Sequence, residues 1–221
     1  MFEDKYNMTQ EQNVFVVKRN LIDYIWKSAK LEGISVTYPQ TDVIVSGISL
    51  QNFKVDDIIT INNLKHGWQF ILNNLYYPSN YTLLCEIHKT ICSGLVYNAG
   101  YIRNVPISMG GTNWKPELPI EVDIKFTIEN YLKEISKSVT ERAIELMLYI
   151  MRTQAFLDGN KRTAMMLANH FMVSKGKGII SIPVEHKEEF KTLLIEFYET
   201  NDNSKVKEFV YNCCIDGINF K

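Results

Sequence analysis

What the chain lacks narrows its function first. Only four cysteines occur in 221 residues, Cys85, Cys92, Cys213 and Cys214, and their spacing matches no zinc pattern. Adjacent Cys213 and Cys214 are awkward disulfide partners, so buried or half-buried thiols in a reducing cytosol are expected. No apolar run approaches the length that spans a bilayer, and no repeat or low-complexity linker stands out. The opening stretch Met1–Gln12 is polar and mixed in charge, unlike a secretory leader, which predicts a cytoplasmic protein. The chain carries 24 Lys plus Arg against 25 Asp plus Glu, a net charge of −1. A broad nucleic-acid footprint needs surplus cations, so neither nucleic acid nor membrane is an expected partner. Any anion site must be local.

What is there is ordinary globular protein, 46% apolar and 22% charged. Its length suits one core with a small appended segment. Apolar spacing predicts helices over Val14–Leu31, Asp56–Leu72, Tyr81–Leu95, Thr127–Lys137, Val139–Thr153, Lys161–Val173, Lys187–Thr200 and Lys205–Cys214. Thr37–Ile48, with Pro39 and Gly47, reads as loop with short extended pieces, and Glu117–Asp123 as a proline-bearing loop. Tyr101–Met109 lies among Gly100, Pro106 and Gly110–Gly111, the pattern of a short hairpin. The fold class expected is mainly α, a helical bundle with one β-hairpin.

The chemistry concentrates in Gln154-Ala155-Phe156-Leu157-Asp158-Gly159-Asn160-Lys161-Arg162-Thr163, a polar connection between two strongly apolar helices. Asp158-Gly159-Asn160 supplies a tight turn, and Gly159 permits positive φ and close approach of a ligand to the main chain. The next helix starts at about Asn160–Lys161, aiming free N–H groups and its dipole at the loop. Lys161 and Arg162 are unfavourable cations at a helix start and point to a compensating anion. Asp158 beside it is a natural Mg²⁺ ligand, because Mg²⁺ on phosphates commonly takes one or two carboxylates. Phe156 would anchor the loop in the core. On these grounds alone, a capped turn with solvated Lys161 and Arg162 is an equally good reading.

The stretch resembles the signature of the Fic/Doc family, His-x-Phe-x-Asp/Glu-Gly-Asn-Gly/Lys-Arg, matched in register by Phe156, Asp158, Gly159, Asn160, Lys161 and Arg162. Residues 98–111 are similar to the family's flap, which docks a target polypeptide as an added strand and here would use Arg103, Asn104, Val105, Pro106 and Ile107. The likeness covers roughly Ile22 to Val173. It implies residues 1–36 as an N-terminal helix and residues 37–221 as a Fic-type core with its phosphate loop at 154–165. It further implies Mg²⁺- and ATP-dependent transfer of AMP to a protein Ser, Thr or Tyr hydroxyl, with the chain itself among the candidate targets. Mapped by position, Asp158 would hold Mg²⁺. Phe156, Gly159, Asn160, Lys161 and Arg162 would form the nucleotide site, with Arg162 also catalytic. Lys161 matches the Doc-like branch, which transfers phosphate; Gly159 is typical of the AMP-transferring branch.

Two departures matter. The family's basic histidine is replaced by Gln154, whose amide cannot serve as general base, a loss typically costing about 10²- to 10⁴-fold in rate. Gln154 reads as an engineered change, a natural degeneration, or a group that orients the hydroxyl without deprotonating it. A silent nucleotide- or partner-binding module is the competing function. Secondly, Ser28-Ala29-Lys30-Leu31-Glu32-Gly33 resembles the family's inhibitory motif, with Ser28 and Glu32 on one helical face and Gly33 ending the helix. Relatives pair that glutamate with a second arginine, but Met165 stands there. Glu32 could reach only Lys161, Arg162 or an Asn, which implies weak autoinhibition. An oligomer stays open, although the Val14–Trp26 and Phe190–Phe197 faces read first as core.

Overall fold

The structure is a computed structural model and describes residues 2–220. Ten α-helices are present among the described residues: α1 Gln10–Arg19, α2 Leu21–Leu31, α3 Tyr38–Val45, α4 Val55–Asn73, α5 Tyr81–Ile91, α6 Glu121–Lys133, α7 Val139–Thr153, α8 Asn160–Ser174, α9 Lys187–Thr200 and α10 Ser204–Cys213. The mainly α helical bundle is therefore as expected. None of these helices is long and apolar enough to cross a membrane. The two strands among the described residues, β1 Ile179–Ile180 and β2 Ile215–Asp216, pair antiparallel with Ile179 opposite Asp216.

The core is organised around α8. From Thr163 to Val173 every residue of it is buried, as in a helix surrounded on all sides. Helix α7 lies along it, with α4, α5 and α1 on its other flanks. Helices α6 and α10 back α7, and Lys207 of α10 reaches Glu141 and Glu145 of α7 at 3.2 and 3.0 Å. At the far end of α8, Asn169 clasps β1 by donating to the Ile180 carbonyl and accepting from its N–H. Both ends of α8 are thus fixed.

Several expectations need correction. Val14–Leu31 is two helices, α1 and α2, divided at Asn20. Thr37–Ile48 contains α3, not extended pieces: Thr37 and Gln40 form a reciprocal capping box, and Pro39 lies in the first turn, where its missing N–H costs nothing. Helix α5 stops at Ile91 instead of Leu95, and α6 begins six residues before Thr127 and ends at Lys133. The hairpin at Tyr101–Gly111 is absent; that segment runs without a strand ladder, and the Arg103 N–H donates to the Ala155 carbonyl of the loop instead of to a partner strand. Of the four thiols, none paired, Cys92 and Cys214 are buried and Cys85 half-buried, but Cys213 is exposed.

Candidate active site

The loop between α7 and α8 is held in one shape by a closed network of amides. Gln154 ends α7 in the left-handed region, φ 48° and ψ 52°, unusual for a residue other than glycine. Both ends of its side chain are engaged: Nε2 donates to the Met151 carbonyl at 2.6 Å, and Oε1 accepts from Asn160 Nδ2 at 3.0 Å. Asn160 is the cross-brace. Its Nδ2 also donates to the Phe156 carbonyl at 2.8 Å, and its Oδ1 accepts from the Phe156 N–H at 2.9 Å.

A histidine from α5 completes the frame. Gly100 N–H donates to His88 Nδ1 at 2.8 Å, so the ring proton sits on Nε2 and is donated to the Asp158 carbonyl at 2.9 Å. Burial holds the His88 pKa down at about 4, and the neutral ring stacks on fully buried Phe156 at 3.8 Å. Gly159 has φ +76°, and a Cβ there would collide with Cys92 Sγ. No other residue fits.

Arg103 binds the second wall to the first. Its backbone N–H donates to the Ala155 carbonyl at 2.9 Å, and its guanidinium donates to the carbonyls of Gln154, Val105 and Glu117. It is 4% exposed, so its expected role in docking a target is corrected to that of a buried clamp. Asn104, Val105 and Pro106 are exposed and Ile107 is half-exposed.

Between the walls lies a cavity of about 230 Å³, lined by Gln154 and Leu157–Lys161 on one side and Ile107–Gly110 on the other, with Glu32 at its edge. Helix α8 opens on it without a side-chain cap. The N–H groups of Asn160, Lys161 and Arg162 have no acceptor among the described residues; only Gly159 N–H is taken, by Asp158 Oδ1 at 2.6 Å. These orphan donors and the helix dipole make the spot receptive to an anion. Asp158 is mostly exposed at 74%, which suits a carboxylate sharing Mg²⁺ with phosphate oxygens. A larger groove of about 690 Å³ runs between Trp114–Ile120 and helices α6, α7 and α9. It contains none of the loop residues after Thr153, so the chemistry singles out the smaller cavity.

Two expected site residues lie off the cavity wall. Phe156 is a core anchor and contributes no surface to a nucleotide. Arg162 is 6% exposed behind Glu32, with Nε 3.2 Å from one Glu32 oxygen and Nη2 3.4 Å from Asp158 Oδ2. Lys161 Nζ stands 3.9 Å from the other Glu32 oxygen. A carboxylate of the chain itself thus compensates the two cations at the helix start. Of the partners left open to Glu32 by Met165, Arg162 and Lys161 are the ones that stand beside it. Gly33 ends the motif at φ +89°, and Ser28 lies on the same face as Glu32, whose N–H bonds the Ser28 carbonyl. Sequence reasoning missed Ser108, Met109 and Gly110 as wall residues, since neighbours across a loop leave no periodic signal.

The uncapped start of α8, beside the acidic loop, thus faces the cavity as an anion-receptive helix terminus. Residues 78–172 match the family model described as the Fic/DOC family. The fold of the chain is similar to a Fic-domain-containing signalling protein from Bacteroides thetaiotaomicron, with TM-score 0.76, 18% identity, and coverage of 93% of this chain and 87% of that one. It is similar also to Fic-1 (residues 134–508) from C. elegans, with TM-score 0.73, 22% identity and coverage of 88% of this chain. The chain spans 61% of that nematode chain. BepC, a translocated effector from Bartonella tribocorum solved with bound AMPPNP, matches at TM-score 0.52 and 15% identity over 72% of this chain and 88% of that one. No curated protein sequence matches the chain.

Proposed function

We propose that the cavity binds Mg-ATP and that the chain transfers AMP to a hydroxyl of a protein, itself included, from a state that Glu32 holds closed. The observation that carries this reading is the pair of unpartnered N–H groups at Asn160 and Lys161, which open α8 in the cavity wall beside Asp158. A similar fold solved with bound AMPPNP supports a triphosphate as the ligand. The phosphates would lie against these N–H groups and Lys161, with Arg162 joining once Glu32 withdraws. Mg²⁺, held by Asp158, would neutralise charge on the phosphates. Catalysis of this kind is mostly positioning and charge stabilisation.

In the step itself, the target hydroxyl oxygen forms a bond to the α-phosphorus, the bond to the bridging oxygen of the β-phosphate breaks, and pyrophosphate leaves. Gln154 takes no proton, because an amide has no basic lone pair and both ends of this one are bonded. The hydroxyl proton passes to solvent, and transfer is slow. Gln154→His is expected to accelerate labelling by about 10²- to 10⁴-fold, read by mass spectrometry of the protein after incubation with Mg-ATP. The bonded state of the Gln154 amide also favours a second reading, a nucleotide-binding module that does not turn over. No gain from Gln154→His would select it. ATP labelled at the α- or γ-phosphate tests the group transferred: γ-label alone in the product would assign the Doc-like phosphate transfer suggested by Lys161.

A further inference from the structure

Beneath Glu32, helices α2, α4 and α8 enclose a second cavity, of about 10 Å³, whose walls include Ser28, Glu32, Trp68, Arg162 and Met165. That is the room one water needs. Three donors on these side chains are buried without an acceptor, the Trp68 indole N–H and Arg162 Nε and Nη1. Trp68 is 2% and Arg162 6% exposed, so bulk solvent does not satisfy them. Buried donors left unpaired are costly and uncommon. The same walls carry acceptors, the Glu32 carboxylate and the Ser28 hydroxyl. Arg162 Nε, although 3.2 Å from Glu32 Oε2, makes no aligned hydrogen bond to it, so the direct contact leaves the clamp half made.

We propose that one buried water occupies this cavity and completes the Glu32 clamp. It accepts from Trp68 Nε1 and Arg162 Nη1 and donates to Glu32 and Ser28, which satisfies all four of its bonding directions. A halide would fit the donors but not the neighbouring carboxylate, which repels it. Met165 contributes no polar group, so the water supplies the link that a cationic side chain at that position would otherwise make. Trp68 and Ser28 thereby become positioning residues for Glu32, setting how tightly the cavity is closed.

Two experiments decide this, and only the second rests on the proposed nucleotide reading. A crystal structure that resolves ordered solvent is expected to show one water about 2.7–3.2 Å from Trp68 Nε1 and Arg162 Nη1. An empty cavity, or a protein acceptor on Trp68 Nε1, overturns the proposal whatever the nucleotide does. In solution, Trp68→Phe is expected to tighten binding of a non-hydrolysable ATP analogue about threefold to tenfold, one hydrogen bond's worth. It should change nothing in a Glu32→Gly background, and Ser28→Ala should behave alike. Equal tightening with and without Glu32 overturns the water link. Absence of analogue binding in every variant counts against the nucleotide site instead and leaves the crystallographic result to judge the water.

Discussion

The two walls of the 230 Å³ cavity are built on opposite terms. On the loop wall, Gln154, Phe156, Asp158 and Asn160 are joined by hydrogen bonds that leave the turn one conformation, backed by the His88–Phe156 stack. On the facing wall, Ile107–Gly110 make no hydrogen bonds with the rest of the described chain, and Val105 beside them is 46% exposed. Under the proposed AMP transfer, groups that hold a reacting phosphate within a fraction of an ångström need the first kind of wall. A surface that receives a varied polypeptide needs unspent backbone donors and acceptors. Arg103 ties the two regimes together, with its guanidinium donating to the carbonyls of Gln154, Val105 and Glu117.

The comparison breaks most visibly at Asn160. Asn160→Ala removes three bonds and leaves the buried Phe156 N–H without an acceptor, so a loss of about 3–5 kcal/mol is expected by urea denaturation; a loss below about 1 kcal/mol would show the loop wall to be less constrained than described. Next in size is acid. His88 is held at about 4 when folded against an ordinary value near 6.5. The unfolded chain therefore takes up a proton before the native one does, and stability falls as pH drops from about 6.5 towards 4. The full loss is about 3 kcal/mol, with His170, also lowered by burial, acting in the same direction. Unfolding followed across that window checks it, and a His88→Gln variant should show a shallower fall.

Smaller effects sharpen the contrast. Glu32→Gly frees Arg162 and Lys161 and is expected to raise affinity for an ATP analogue about tenfold, equivalent to about 1.4 kcal/mol, read by calorimetry. Val105→Ala on the facing wall should move stability by less than about 0.5 kcal/mol while slowing modification of a protein target. An equal effect on both quantities would show that this wall is structural as well.

Local features were readable in the sequence, and features made by distant partners were not. Helices α7 and α9 follow from apolar spacing, and the positive φ of Gly159 and the burial of Phe156 follow from the turn chemistry of one short stretch. Helix α3 was legible in principle, since Thr37 and Gln40 spell its cap, but Pro39 reads as a breaker unless its first-turn position is recognised. Residues Ile179–Ile180 and Ile215–Asp216 pair across 35 and 37 positions with two residues apiece, too short for any alternation to register. Arg103 and Asn160 have ordinary sequence neighbours; their roles come from carbonyls and amides brought together by the packing of α7 and α8. For Glu32 the sequence left Lys161, Arg162 or an Asn open as partners, and the fold selects Arg162 and Lys161.

The most direct test of the account is calorimetric titration of the Glu32→Gly protein with a non-hydrolysable ATP analogue, with and without Mg²⁺, alongside Glu32→Gly carrying Asp158→Ala. Saturable binding that strengthens with Mg²⁺ and loses that strengthening without Asp158 is the predicted result. Failure to bind once Glu32 is gone, or binding indifferent to both Mg²⁺ and Asp158, would contradict a triphosphate seated at the start of α8.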